Sequence, residues 1–202
     1  MKSAFLLTAL AFATVMGQSQ DVKAGFQVTL SNPQGDLADL VDDNLGFGIG
    51  GHLFIDMKNG HALVPRIDYT AYRKTLNDLS IGSDSYYDYY ATEVKVSTLA
   101  LGADYNYFFS GRANRGLYLA AGVAFVHGKV TVDVDAYDNY GYAGTGSDSE
   151  TKNALGYSFG GGYRFNPNVG IEVKYNQVSF DTGVYGLNLD APSLNASFIC
   201  RF

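Results

Sequence analysis

The stretch Leu194-Asn195-Ala196-Ser197-Phe198-Ile199-Cys200-Arg201-Phe202 stands at the end of the chain, and its reading decides the fold. Counting back in twos from Phe202 gives Cys200, Phe198, Ala196 and Leu194, all apolar. Between them lie Arg201, Ser197, Asn195 and, one step further back, Ser193, with Ile199 the exception. A period of two with one apolar face is a β-strand, because successive side chains of an extended chain leave on opposite sides. Such a strand, ending on an aromatic residue, fits the edge of a soluble sandwich or the last stave of a closed barrel. The preceding chain has to separate the two.

Working backwards, segments of the same kind are predicted at 22–30, 45–57, 62–73, 92–109, 117–134, 152–165, 169–180 and 191–202. The connections after the second, fourth and sixth are short and carry tight-turn chemistry: Lys58-Asn59-Gly60-His61, Gly111-Arg112-Ala113-Asn114-Arg115-Gly116 and Asn166-Pro167-Asn168. Asn-Gly is the strongest short hairpin signal. The other four connections, 31–44, 75–91, 135–150 and 181–190, are longer and polar. Short turns at one end and long loops at the other is the pattern of an outer-membrane barrel, with the short turns in the periplasm.

Each segment has two faces. Leu45, Phe47, Ile49, Leu53 and Ile55 oppose Gly46, Gly48, Gly50, His52 and Asp56. Leu99, Leu101, Ala103, Tyr105 and Tyr107 oppose Ala100, Gly102, Asp104 and Asn106, and Ile171, Val173 and Tyr175 oppose Glu172, Lys174 and Asn176. A soluble sandwich also alternates, but its wet face is dense with charge, whereas the polar face here is rich in Gly and Ala. A midplane Arg or Lys facing lipid costs on the order of 2–4 kcal/mol, so the charges point into the barrel. The inward set is His52, Asp56, Arg66, Asp68, Asp104, Arg164, Glu172, Lys174 and Arg201. Eight strands leave a lumen filled by side chains or just able to hold one small ligand, so a mutually paired, salt-bridged plug is expected rather than an open pore. Two breaks in parity, Val94 and Val96 against Leu99 and Leu101, and Val130 and Val132 against Val123 and Phe125, read as bulges or as extensions above the lipid. Pro65 sits uneasily in a strand with neighbours on both sides.

At the other end, Lys2 precedes an apolar run from Ala4 to Gly17 that ends in small residues, the pattern of a cleaved secretory signal over 1–19 with the barrel domain over 20–202. No later apolar run approaches the roughly 20 residues of a membrane helix, so entry into a bilayer requires a closed barrel. With a single cysteine, Cys200, no internal disulfide forms, and a net charge of −6 argues against nucleic acid as a partner. The mean hydropathy of −0.05 is near neutral.

Of the 20 acidic residues, 13 fall in the four long connections, which contain no Lys or Arg. Tyr86, Tyr87, Tyr89, Tyr90, Tyr137, Tyr140 and Tyr142 gather in two of them. An acidic, Tyr-rich surface suits contact with protein or glycan, because Tyr supplies rigid amphipathic area; solvated loop filler is the alternative. Asp133-Val134-Asp135 opens like a calcium loop, but Tyr137 and Asp138 stand where a ligand and the turn glycine belong, so no metal or cofactor is expected. Among the three histidines, His61 lies in a turn, His52 points inward, and His127 alone lies near the outer rim. His127 is followed by Gly128-Lys129, without the serine that lipid A deacylase barrels place two residues after their histidine. Gly160-Gly161-Gly162 sits mid-strand with no helix after it and is no phosphate loop.

The terminal Phe202, with apolar Cys200, Phe198 and Leu194 at alternate positions, resembles the C-terminal assembly signal of bacterial outer-membrane barrels. The mature chain as a whole resembles the small eight-stranded barrels of the OmpA transmembrane domain, OmpX and opacity-type surface proteins. The resemblance implies an all-β, eight-stranded antiparallel up-and-down transmembrane β-barrel, inserted as a monomer into the Gram-negative outer membrane by the barrel-assembly machinery. Its partners would be outer-membrane lipid and lipopolysaccharide. It implies a non-enzymatic surface protein with a structural or adhesive role; a narrow channel for small solutes or ions and a lipid-modifying enzyme are the alternatives. No Trp is present for the usual aromatic girdles, so Tyr105, Tyr107, Phe109, Tyr163, Phe165 and Phe202 would form the periplasmic belt, with Tyr69 and Tyr175 in the outer one.

Overall fold

A computed structural model describes residues 21–76, 89–113, 115–138, 141–181 and 188–202; the expected secretory signal, and Tyr86, Tyr87 and Tyr140, lie outside them. The elements are β1 (Asp21–Pro33), α1 (Gly35–Val41), β2 (Gly46–Asp56), β3 (His61–Leu76), β4 (Tyr89–Phe108), β5 (Gly116–Asp138), β6 (Gly141–Arg164), β7 (Val169–Asp181), β8 (Asn188–Asp190) and β9 (Ser193–Arg201). Strands β1 to β7 pair in chain order, all antiparallel. Strand β9 then pairs with both β7 and β1, closing a ring of eight, and β8 is a short ribbon on the end of β7.

The alternation read from the sequence is the alternation of exposure. Leu101, Val123, Phe125, Leu155, Phe159, Ile171 and Phe198 project from the outer surface with 45–80% of their area accessible. Water-exposed apolar surface on that scale would be untenable, and a bilayer removes the conflict. On the last strand Leu194, Phe198 and Phe202 face outward while Ile199 and Arg201 are buried. The aromatic residues assigned to the two belts are likewise exposed on the outer face.

The short turns are built as their residues require. Lys58, Asn59 and Gly60 all take positive φ, and a side chain on Gly60 would meet the Phe108 carbonyl oxygen at 2.5 Å. That approach lets Phe108 N–H donate to Gly60 O at 2.7 Å, tying the first turn to the second. The Asn166 side-chain oxygen accepts from the N–H groups of Asn168 and Val169 at 2.8 and 2.9 Å, an Asx turn.

Several expectations need correction. The connection at 135–150 is largely strand, and of that at 75–91 the described residues 75–76 and 89–91 are strand: β5 and β6 form a ladder of 23 and 24 residues, about twice what a bilayer needs. Tyr89, Tyr90, Tyr137 and Tyr142 belong to these ladders and not to loops, because the Tyr, Thr and Val around them favour extended pairing. The connection at 31–44 contains α1. Of the two readings of the valine pairs, extension of the strands holds and a bulge does not, since the β4–β5 register runs unbroken and the β5–β6 ladder shifts only at Ala136/Tyr137. Val94 and Val96 keep the inward parity of Asp104 and are buried; the apolar face has changed sides above the membrane. Ile55, read as lipid-facing, is fully buried at the periplasmic rim. Pro65 does interrupt pairing: the β2–β3 ladder passes from His52↔Arg66 to Ile55↔Leu63, omitting the positions opposite Pro65 and Val64.

Candidate functional site

The lumen is built in three tiers from the inward parity of the ring. In the middle tier Arg66 on β3, Asp104 on β4, and Glu172 and Lys174 on β7 converge. Arg66 Nη1 donates to Asp104 Oδ2 at 2.5 Å and Lys174 Nζ donates to the same oxygen at 2.6 Å. Both cations also lie against Glu172 Oε1, at 3.3 and 3.4 Å, and Tyr118 Oη donates to Glu172 Oε2 at 2.9 Å. Arg66 Nε donates to Asp68 Oδ2 at 2.5 Å, and Gln27 donates to Asp68 Oδ1 at 2.8 Å. Glycine makes room for this network: a Cβ on Gly50 or Gly122 would overlap Asp68 Oδ1 or Asp104 Oδ1. The Gly-rich polar face of the sequence is therefore the seat of the carboxylates.

The periplasmic tier is apolar and cationic. Phe54, Val64, Phe108, Tyr118 and Ala120 pack together, with Phe108 and Tyr118 stacked at 4.7 Å. The Arg201 guanidinium lies 3.5 Å from the Phe54 ring centre. Arg164 is fully buried, yet none of its three guanidinium nitrogens has a hydrogen-bond partner, and neither ring nitrogen of His52 has one. The expectation of mutual pairing fails for these two residues and for Arg201, whose buried Nε is also without a partner, because the carboxylates of the tier above are already engaged by Arg66 and Lys174. Asp56 also stands apart: it is half-buried at the rim and accepts the Lys58 N–H at 2.8 Å.

The extracellular tier is apolar. Leu37 and Val41 of α1 pack with Tyr72, Val94, Val96, Val126, Phe180 and Ala191. Sequence reasoning missed this tier, although Leu37, Leu40 and Val41 carry the one-face spacing of a helix turn. The helix is fastened by Gln34 N–H to Pro192 O at 2.9 Å and by Asp190 N–H to the Asp36 carboxylate at 3.0 Å.

On the outer face above the apolar belt, Arg73 pairs with Glu93, and Lys95 bridges Glu93 at 2.9 Å and Asp133 at 2.8 Å. The Lys95 ammonium, with the Ser147 hydroxyl donating at 2.6 Å, holds the Asp133 carboxyl below the usual carboxylate range. Asp133 is thus engaged in the ladder. Among the described residues no cluster of His, Cys, Asp or Glu is arranged to hold a metal ion. His127 is exposed, with Nδ1 2.7 Å from the Asn153 side-chain oxygen, its cross-strand neighbour.

A closed antiparallel ring of eight strands with an apolar exterior and a polar middle tier defines an integral β-barrel of the bacterial outer membrane. The chain belongs to the outer membrane protein β-barrel domain family, whose model matches residues 3–202. It is similar in structure to Neisserial surface protein A (TM-score 0.53, 16% identity, covering 90% of this chain and 97% of that one). It is also similar to Ail, the attachment invasion locus protein of Yersinia pestis (0.50, 15%, covering 88% and 97%). A third neighbour is the N-terminal β-barrel domain of Pseudomonas aeruginosa OprF (0.50, 12%, covering 92% and 100%). No curated protein matches the sequence.

Proposed function

We propose that this outer-membrane barrel is a non-enzymatic surface protein that contributes to envelope structure and presents acidic, Tyr-rich hairpins to ligands outside the cell. The observation that carries the reading is the occupied lumen: an ion-paired tier around Asp104 lies beneath an apolar tier covered by α1. Solute passage would have to break both, which disfavours the channel. The long β5–β6 hairpin stands well clear of the lipid and offers area for contact with a protein or glycan of neutral or basic surface. In this reading the exterior contacts lipopolysaccharide and lipid as a monomer, and Phe202 serves recognition by the assembly machinery. His127 makes its side-chain hydrogen bond to the amide of Asn153, not to a carboxylate that would orient it as a base, which favours the non-enzymatic reading.

Planar-bilayer recording of the refolded barrel tests the reading. No steady current is expected from wild type or from a variant lacking residues 35–41 alone, and current is expected when that deletion is combined with Arg66→Ala and Lys174→Ala, which remove the ion-paired tier as well. Steady conductance by wild type would favour the channel instead.

A further inference from the structure

Between the charged tier and the apolar tier the lumen is not filled. A cavity of about 170 Å³ remains, and its lining divides by height. Its roof is Leu37, Val96, Val126 and Phe180; its wall carries Thr29, Thr98, Ser197, Asn176 and Asn195; its floor is Arg66, Asp104 and Lys174. An apolar cavity of roughly 150 Å³ admits a benzene ring, so this space suits a molecule of roughly six to ten non-hydrogen atoms. Helix α1 spans the mouth between left-handed corners, Gly35 at φ 55° on one side and Asp42 and Asp43 at 59° and 56° on the other. It roofs the space, with Leu37 in the lining.

We propose that the lumen binds a small, neutral, amphipathic molecule, with its ring or short chain under α1 and a hydroxyl or amide group toward the threonine and asparagine wall. Three features select this class. The apolar half gives water no partners, so water alone fills it poorly. At the depth where an apolar body would end, the wall supplies the uncharged side chains of Thr98 and Asn176, beside a Thr29–Ser197 pair at 2.8 Å and an Asn195 that accepts from Ser31. The floor charges are already matched to one another, Arg66 and Lys174 on Asp104, and higher in the lining Lys152 lies 3.1 Å from Glu150, so an ionic head would have to displace a formed ion pair. Eight-stranded barrels are of the size that holds one small ligand. This inference concerns the lumen and is independent of the surface role proposed above.

The test is fluorine NMR of 4-fluorophenol titrated into the refolded barrel in detergent, with empty micelles measuring simple partitioning. Wild type should show a saturable component beyond partitioning, weakened by about tenfold or more in Ala124→Leu, whose added atoms enter the cavity. 4-Fluorobenzoate should show none. A response identical to empty micelles, a saturable response retained in Ala124→Leu, or benzoate binding as well as phenol would each overturn the proposal. Should Ala124→Leu fail to fold, Val126→Ala replaces it. That variant only removes atoms and should bind the bulkier 4-fluoro-1-naphthol saturably where wild type does not; equal behaviour of the two proteins would overturn the proposal as well.

Discussion

Lys174 and Asp104 are 70 residues apart in the chain, on β7 and β4, and meet inside the ring with Nζ 2.6 Å from Oδ2. Neither strand is the other's neighbour, so the contact exists only because the sheet closes on itself. Asp104 holds two cations at once, which makes it the centre of the middle tier.

Replacing that centre should be expensive. Asp104→Asn leaves Arg66 and Lys174 facing each other across a neutral amide, and loss of one partner of a buried ion pair costs about 3–5 kcal/mol. Urea-induced unfolding in lipid vesicles should show a drop of that order. The double change Asp104→Leu with Lys174→Met should lose less than the sum of the single changes, because it leaves no stranded charge.

Glycine on the inward parity should tolerate substitution only where the lumen is open. A Cβ on Gly160 would come 2.7 Å from Lys174 Cα, whereas one on Gly146 meets nothing within 4 Å. Gly160→Ala is expected to destabilise by about 1–3 kcal/mol through overpacking. Gly146→Ala should leave the unfolding midpoint unchanged in the same assay.

The outer ladder should respond to acid. Because the folded Asp133 carboxyl lies below the usual range, its pairing with Lys95 supports the hairpin above the unfolded value of about 3.9 and is lost as pH falls through the depressed folded value. Carbon NMR titration of Asp133 should give a midpoint below that of an ordinary aspartate, and Lys95→Met should raise it. An unchanged midpoint in the variant would remove Lys95 as the cause.

Closure of the ring can be locked with one substitution. Phe26 on β1 and Cys200 on β9 are Cα partners, and cross-strand pairs at about 4.5–5.5 Å fall within disulfide range. Oxidised Phe26→Cys should form an intramolecular bond to Cys200 in the folded barrel and not in the urea-unfolded chain, read as a mobility difference on a non-reducing gel.

The ring was legible because its signal is local. Alternation in 99–107 or 169–176, Asn59-Gly60 in a turn and the final strand each need only neighbouring residues. The parity argument erred at Ile55, where it equated apolar with lipid-facing, and was right to allow that the valine pairs lie on strand extended above the lipid. Val94 and Val96 are apolar and inward because, above the bilayer, water lies outside and the apolar core lies within. Strand ends were misjudged for the same reason: Tyr89 and Tyr137 read as loop residues among acids, yet pair across extended hairpins. Which acid meets which base depends on register around the whole ring. It was for that reason that the isolation of Arg164 and His52 could not be read from their spacing.

The measurement that bears most directly on the closed, ion-paired barrel is electrophoretic mobility in SDS of protein extracted from outer membranes, with and without boiling. The unheated protein should migrate as a compact band that shifts on boiling, because a ring with no free edge and an ion-paired lumen resists detergent at room temperature. Identical migration before and after heating, from protein soluble without detergent, would contradict the barrel and with it the lipid-facing exterior.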